Sequence, residues 1–527
     1  MNRREFLAWM GIGAAGLLGR RAFTATAATA AGDRPNLLVI HTDEHNFRTL
    51  GCYRELMSPD QAMVWGKQAV LETPNIDGLA KAGALCTKFY ATTPLCSPSR
   101  SVFMSGRYPQ NTPVTTNNVP MSDDVVTFAE ILRRSGYKTG YAGKWHLDGT
   151  GKPQWAPKRQ FGFADNRYMF NRGHWKQLQD TPAGPRVKAR AGKGRPTYDV
   201  KGADAKSFTT DFLADRTIDF VRAHKDEPFC YMVSIPDPHG PNTVRPPYDT
   251  MFDDMAFQAP PTMHKPESAV PGWAPRQAKT LNAASMRKYF GMVKCIDDNV
   301  GKILGELDKL GLAERTIVVF TADHGDLCGE HGRHNKGVPY EASAKVPFVI
   351  RAPGIIKPGT VVRNPLACVD FAPTILRLMG RHVTAKFEGR YADTFFRGNS
   401  PGIWLDVVFL RGSSSPGKSG TWLAAVTKNH KLVVSNSDKP WLFDLEKDPD
   451  EVTNRLDDPT CRGVLRQLAK YMRVYGKVFN DPTVSDPRVK ADLTWAAEGK
   501  GDYVGLARQK PQRPKAGKKA RAAKKGS

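Results

Sequence analysis

Four short apolar runs punctuate the chain, and each gives way to polar, chemically active residues. Asn36-Leu37-Leu38-Val39-Ile40 runs into His41-Thr42-Asp43-Glu44, and Lys138-Thr139-Gly140-Tyr141-Ala142 into Gly143-Lys144-Trp145-His146. Phe229-Cys230-Tyr231-Met232-Val233-Ser234-Ile235 leads to Asp237-Pro238-His239, and Thr316-Ile317-Val318-Val319-Phe320 to Asp323-His324-Gly325-Asp326. Continuous, largely β-branched runs of this length predict strands buried on both faces of a mainly parallel sheet. Helix-patterned stretches such as Phe208 to His224 and Ala284 to Leu310 lie between them. Alternating strand and helix predicts an α/β sandwich, a parallel sheet covered by helices on both sides. In such sheets the functional crevice lies outside the carboxyl ends of the strands. All four polar clusters fall at that edge.

The intervening segments are less patterned. Gly149 to Gly202 is rich in Lys, Arg, Gly and aromatic residues and reads as loops, and Tyr248 to Arg276 is rich in Pro and Met. Both are placed either to border an active site or to decorate the surface. After Arg381 the character changes. Trp422-Leu423-Ala424-Ala425-Val426 and Lys431-Leu432-Val433-Val434 read as antiparallel strands. Trp441-Leu442-Phe443-Asp444-Leu445 follows, then Asp448-Pro449-Asp450-Glu451 and a helix from about Cys461. A chain of 527 residues is expected to divide into two domains. We place them at 31–385, a large α/β unit, and 386–505, a smaller α+β unit carrying the antiparallel sheet.

The ends of the chain carry other signals. Asn2-Arg3-Arg4-Glu5-Phe6-Leu7 precedes a Gly/Ala/Leu run, and Ala25-Thr26-Ala27 and Ala28-Thr29-Ala30 are both of the A-x-A cleavage type. Residues 1–30 are therefore expected to be a twin-arginine (Tat) signal peptide, read by the Tat export machinery of a bacterium and directing a periplasmic or secreted product. The apolar stretch Trp9 to Leu18 is too short to span a bilayer, and no later segment reads as transmembrane. The formal charge is +25, of which the leader carries +3 and Arg508 to Ser527 carries +9, leaving +13 on the body. The tail, residues 506–527, is low-complexity and expected to be disordered. The body's surplus suits an anionic substrate drawn in by steering, and no nucleic-acid partner is expected.

Cysteine usage then singles out one position. Seven cysteines, at 52, 86, 230, 295, 328, 368 and 461, are scattered without metal-like CxxC spacing. Export permits disulfides among them, and an odd remainder fits Cys96 being reserved for another task. Cys96-Ser97-Pro98-Ser99-Arg100 introduces a helical run closed by Gly106, with Pro98 suited to the first helical position. Cys96 is thereby expected at the positive end of a helix dipole beside Arg100, a setting for a thiolate or a bound oxyanion. A half-buried cysteine in a turn is the plain alternative. The paired acids Asp43 and Glu44, with Asp323 and His324 some 280 residues later, would converge on an oxygen-rich divalent-cation site. Arg100, Lys144 and Lys336 can surround an anion, with His146 and His239 able to move protons.

The C-x-P-x-R pattern at Cys96–Arg100, continued by Ser105-Gly106-Arg107-Tyr108-Pro109, resembles the maturation signature of the type I sulfatases, within the alkaline-phosphatase-like superfamily. Pro35-Asn36 through Glu44 is similar to that family's first strand, and Thr321-Ala322-Asp323-His324-Gly325-Asp326 to its second metal motif. Gly143-Lys144-Trp145-His146-Leu147, Pro236-Asp237-Pro238-His239 and Asn335-Lys336-Gly337 lie in sulfatase-like contexts as well. The resemblance, covering roughly residues 34 to 460, implies that a sulfatase-maturing enzyme oxidises Cys96 to formylglycine. It also implies one ion, usually calcium, held by Asp43, Glu44, Asp323, His324 and the modified Cys96. Glu44 stands where relatives more often have Asp, and the His324 nitrogen leaves another divalent ion open.

By the same resemblance, one hydroxyl of the hydrated aldehyde attacks sulfur and the second expels sulfate. Lys144, Lys336 and Arg100 offset charge, His239 protonates the leaving alcohol and His146 assists deprotonation. His45, His331 and His334 are left with structural or substrate-side roles. Expected substrates are aryl or choline sulfates, sulfated polysaccharide units or N-sulfated sugars. The alternatives are a phosphonate monoester or phosphodiester hydrolase of the same superfamily, and a non-catalytic polyanion-binding protein.

Overall fold

A computed structural model describes residues 34–381, 385–414, 418 and 420–500; the expected leader and basic tail lie outside the described residues. Its centre is an eight-stranded sheet. In chain order its strands are β1 (Asn36–Asp43), β2 (Ala84–Cys86), β3 (Lys138–Lys144), β4 (Asp165–Phe170), β5 (Phe229–Pro238), β6 (Thr316–Ala322), β7 (Phe348–Arg351) and β8 (Thr360–Val362). Across the sheet they run β8-β2-β7-β6-β1-β5-β3-β4. The five strands from β6 to β4 are all parallel, and β7 is antiparallel to both β6 and β2. The four apolar runs of the sequence are thus four adjacent strands, β6, β1, β5 and β3.

Alternate residues of each strand feed opposite cores, as the pleat requires. Leu37, Val39, Cys230, Met232, Ile317 and Val319 face one core. Leu38, Ile40, Tyr231, Val233, Val318 and Phe320 face the other. The first core is covered by α1 (Cys96–Ser105) and α4 (Phe371–Leu378), the second by α2 (Thr209–Ala223) and α3 (Ala283–Lys309). Burial on both faces explains why these strands are apolar without interruption.

β4 corrects the expectation of loops from Gly149 to Gly202. It lies at the sheet edge beside β3, with Phe170 also bridging to Trp155, and its outer residues Asp165 and Arg167 are exposed. An edge strand half in water alternates polar with apolar and so lacks the continuous run that marks its neighbours.

Downstream lies a separate antiparallel sheet, β9 (Val408–Arg411), β10 (Trp422–Val426), β11 (His430–Ser435) and β12 (Trp441–Asp444), in sequential order. Helices α5 (Arg462–Val478) and α6 (Pro487–Glu498) pack on it. Its apolar side chains, among them Leu432, Val434 and Leu442, join the same core as α1 and α4. Lys431 of β11 is fully buried, and its Nζ donates to Glu341 Oε1 at 2.8 Å, Glu451 Oε1 at 2.7 Å and the Pro339 carbonyl at 2.7 Å. This ties the small sheet to the segment that follows Lys336. No helix among the described residues is long and apolar enough to cross a membrane.

Beneath α1, the Phe103 ring stacks on Phe371 at 3.8 Å with 11° between planes. Phe103→Ala is expected to cost about 3–5 kcal/mol, read as a lowered midpoint of denaturant unfolding. A change within 0.5 kcal/mol would show that the stack does not hold α1 to the core.

Candidate active site

The site forms where β6, β1, β5 and β3 end side by side. β1 stops at Asp43, and Glu44 turns the chain with φ 64°. The Asp323 carboxylate closes this turn, its Oδ1 accepting from Glu44 N at 3.2 Å and from His324 N at 2.9 Å. On the other side, Gly143 has φ +102°, and a Cβ there would lie 1.9 Å from the Ser234 carbonyl oxygen. Only glycine allows β3 to approach β5 this closely, which brings Lys144 to the cluster.

Helix α1 points its first turn at the strand ends. Leu95 is the N-cap and Cys96 the first helical residue, so Pro98 occupies the third helical position instead of the expected first. The helix tolerates this because the first i→i−4 bond is Ser99 N to the Leu95 carbonyl, at 3.0 Å, and Pro98 N precedes it. Ser97 N donates instead to Asn117 Oδ1 at 2.9 Å. Gly106 closes the helix at φ 63°.

Arg100 joins all four strand ends. Its Nε donates to Asp323 Oδ2 at 2.9 Å, Nη2 to Asp43 Oδ2 at 3.1 Å, and Nη1 to Ser234 Oγ at 2.6 Å and the Lys144 carbonyl at 2.7 Å. Lys144 Nζ donates to Asp43 Oδ2. Cys96, 2 % exposed, places Sγ 3.2 Å from His324 Nε2 and 3.7 Å from Asp43 Oδ1. Ligand atoms of Asp43, Cys96, Asp323 and His324 all lie within 4.8 Å of one another, a buried group able to hold a metal ion.

Glu44 stands beside this group. Its Oε2 accepts from Lys336 Nζ at 3.0 Å and lies 3.0 Å from His239 Nε2, while Oε1 is buried without a hydrogen-bond partner. His146 lies at the pocket wall with φ 61°, Nε2 3.3 Å from Asn118 Oδ1.

The electrostatics divide these groups. Burial and the Cys96 sulfur push the Asp43 carboxyl up, yet Lys144 and Arg100 hold it well below the carboxylate range. Burial and the Asp43 charge push Asp323 up. Burial would favour a neutral Cys96 thiol, but Lys144, Lys336 and His324 pull its pKa well below the ordinary value. The two histidines move apart. Burial lowers His146 to about 4, whereas burial on His239 is outweighed by Glu44, which raises it to about 10. His239 Nδ1 lies 2.9 Å from the Gly240 carbonyl, so Nε2 is the nitrogen that exchanges a proton near Glu44 and Lys336.

Sequence reasoning passed over His174 and Ser234. The His174 ring stacks on His239 at 3.6 Å, with 7° between planes, and its Nε2 is 2.7 Å from Lys144 Nζ. It lies in the basic, aromatic stretch after residue 149, where only that composition pointed toward the site. Of the competing histidines, His45 and His331 have partners of their own. His45 sets Nδ1 3.2 Å from Thr42 Oγ1 and Nε2 3.1 Å from Thr49 Oγ1. His331 stacks on Tyr340 at 3.6 Å, and His334 is half-buried with its pKa lowered by burial. All eight cysteines are buried free thiols.

The described fold is that of the alkaline-phosphatase-like sulfatases. The sulfatase family model matches residues 35–381, and a model described as the C-terminal part of N-sulphoglucosamine sulphohydrolase matches 329–477. The chain belongs to the type I sulfatase family, enzymes that hydrolyse sulfate esters. It is 27% identical to an ulvan-active sulfatase of Formosa agariphila, over 82% of this chain and 80% of that protein. A solved structure in complex with its substrate D-glucosamine-2-N,6-O-disulfate superposes with a TM-score of 0.69 at 22% identity, covering 85% of this chain and 99% of the other. The phosphonate monoester hydrolase of Agrobacterium radiobacter shares the fold with a TM-score of 0.67 at 23% identity, over 86% and 97% of the two chains.

The Glu44–His239–Lys336 cluster carries a pH signature. Burial opposes ionisation of Glu44, but His239 and Lys336 lower it from 4.5 to about 2, so its contribution is complete above 4.5 and is lost as pH falls. His239, raised from 6.5 to about 10, contributes fully below 6.5 and loses that contribution as pH rises toward 10. In protein freed of divalent ions, the melting-temperature gap between parent and Glu44→Gln is expected to be widest between these limits. A gap independent of pH would contradict the pairing.

Proposed function

We propose that this sulfatase acts on sulfated sugars, with Cys96 oxidised to formylglycine as the nucleophilic residue and one divalent cation beside it. The observation that carries the reading is the position of Cys96, buried at a helix N-terminus against Asp43 and His324 and facing Lys144 and Lys336. The cation fits the residues present. Asp43, Asp323, His324 and residue 96 are within mutual reach, and the orphaned Glu44 Oε1 is an oxygen wanting a partner. The oxygen-rich set suits calcium, and the His324 nitrogen also admits other divalent ions. When present, the hydrated aldehyde supplies a hydroxyl nucleophile and the cation supplies Lewis-acid stabilisation.

The chain's own residues account for the rest. Arg100 holds the Asp43 and Asp323 carboxylates in orientation, and Lys144 and Lys336 present positive charge to the sulfuryl oxygens. His239, protonated at neutral pH, delivers a proton from Nε2 to the departing alcohol. His146, neutral at the same pH, accepts one. Two histidines with pKa values displaced in opposite directions suit acid and base roles.

A sugar substrate is supported by the ulvan-active relative, by the neighbour bound to a disulfated glucosamine and by the positive charge of the body. The twin-arginine pattern at Arg3-Arg4 supports export to the periplasm or beyond, after maturation in the cytoplasm. Fold likeness to a phosphonate monoester hydrolase keeps that activity as the second reading. Turnover of matched sulfate and phosphonate esters separates the two.

The direct test is the mass of the tryptic peptide Phe89–Arg100 from protein made with a sulfatase-maturing enzyme. Replacement of sulfur and two hydrogens by one oxygen is expected; unmodified cysteine in active enzyme would refute the aldehyde. His239→Ala is expected to slow hydrolysis of esters with poor leaving groups by about 10²–10⁴ and of activated aryl sulfates by less. Equal losses on both would remove the acid role. Treatment with EDTA is expected to lower the melting temperature, and calcium to restore it by about 2.7 kcal/mol of stabilisation at a hundredfold excess over Kd. If no divalent ion shifts the transition, the cation is not part of the site.

A further inference from the structure

Beside the buried cluster a pocket opens whose inner wall is Lys144 and His146 and whose rim carries Lys152, Arg172 and Tyr198. The rim is built, not incidental. Gly173, at φ +122°, forms a turn in which a Cβ would meet the Trp175 ring at 2.3 Å, and Trp175 Nε1 donates to the Arg172 carbonyl at 3.1 Å. This turn sends the residues on either side of Gly173 to different tasks. His174 points inward, stacked on His239 and close to Lys144, while Arg172 faces the pocket mouth. Lys152 lies with Nζ 4.8 Å from the centre of the Tyr198 ring and 5.4 Å from that of Trp175, so the aromatic faces hold the ammonium in place.

Among the described residues no carboxylate lies within ion-pair distance of Lys152 or Arg172, and Arg172 Nη1 donates to the Thr150 carbonyl at 2.8 Å. Asp148 is engaged by Arg159 at 3.3 Å and by Gln154. Two cations with no carboxylate partner among the described residues, on the wall of a pocket already suited to one sulfate, make a second anion site.

We infer that Lys152 and Arg172 bind a second anionic group of the substrate, so that the preferred sugar carries two anions and not one. This rests on the sulfated-sugar reading above. A second sulfate and a neighbouring carboxylate share the required chemistry. The test compares kcat/KM of the mature enzyme on glucosamine 6-sulfate, glucosamine N,6-disulfate and a uronate-linked glucosamine 6-sulfate disaccharide. Preference for either dianionic sugar over the monosulfate, by about tenfold to a hundredfold, is the expected result. The disulfate and uronate arms tell which anion is used. Lys152→Ala and Arg172→Ala are expected to bring that ratio toward one, with the loss in KM, and Arg172→Lys to retain part of it. An active parent with no preference, or a preference untouched in Lys152→Ala, overturns the inference and leaves the sulfatase reading intact. A mature parent inactive on every sulfate ester overturns that reading, and the inference with it.

Discussion

Two buried carboxylates, Asp43 and Asp323, lie close enough to share one guanidinium, and the structure depends on that sharing. Without Arg100 the two acids would repel each other in a setting where neither is solvated, and the strands that carry them would be forced apart. With it, β6, β1, β5 and β3 end in a common polar knot: two ion pairs, one hydroxyl and one carbonyl on a single side chain. Lysine could not replace it, because a point ammonium lacks the fork that reaches four acceptors at once.

That knot also shapes the charge on the groups nearest to it. Asp43 stays ionised because Lys144 and Arg100 both face it, and Asp323 is pushed the other way by burial and by its ionised neighbour. Positive charge from Lys144 and Lys336 then falls on Cys96. Glu44 is held in a separate arm by Lys336 and His239, which is how one short turn after β1 serves two neighbouring environments. The pocket's periphery is set by the Arg172–Trp175 turn and Lys152, outside this buried knot.

Much of the architecture was legible because burial on both faces leaves an unbroken apolar signature, and Leu37–Ile40 or Ile317–Phe320 can hardly be anything else. The meeting of Asp43 with Asp323 followed from the rule that such strands present chemistry at one edge. What was not legible is equally physical. β4 is wet on one side and so looks like the loops around it. Pro98 was displaced by two positions because the helix begins at Cys96 itself, a matter of backbone hydrogen bonding that residue types do not reveal. His174 has no periodic context, and the partnership of Glu44 with Lys336 spans 292 residues of chain.

Cys96 is enclosed by elements that are remote in sequence, and this has a bearing on timing. The wall formed by His324 arrives 228 residues later, and β1 finds β6 across a separation of about 280 residues. Contacts of such range form late, since a long loop must close before they are rewarded. As the polypeptide emerges, the wall made by His324 cannot close over the cysteine until β6 and the residues after it have been synthesised. Any enzyme that must reach its sulfur works within that interval, in competition with the docking of β6. A slow, non-local topology is in that sense an advantage: it leaves the residue open to chemistry that the finished fold, with only 2 % of Cys96 exposed, would refuse.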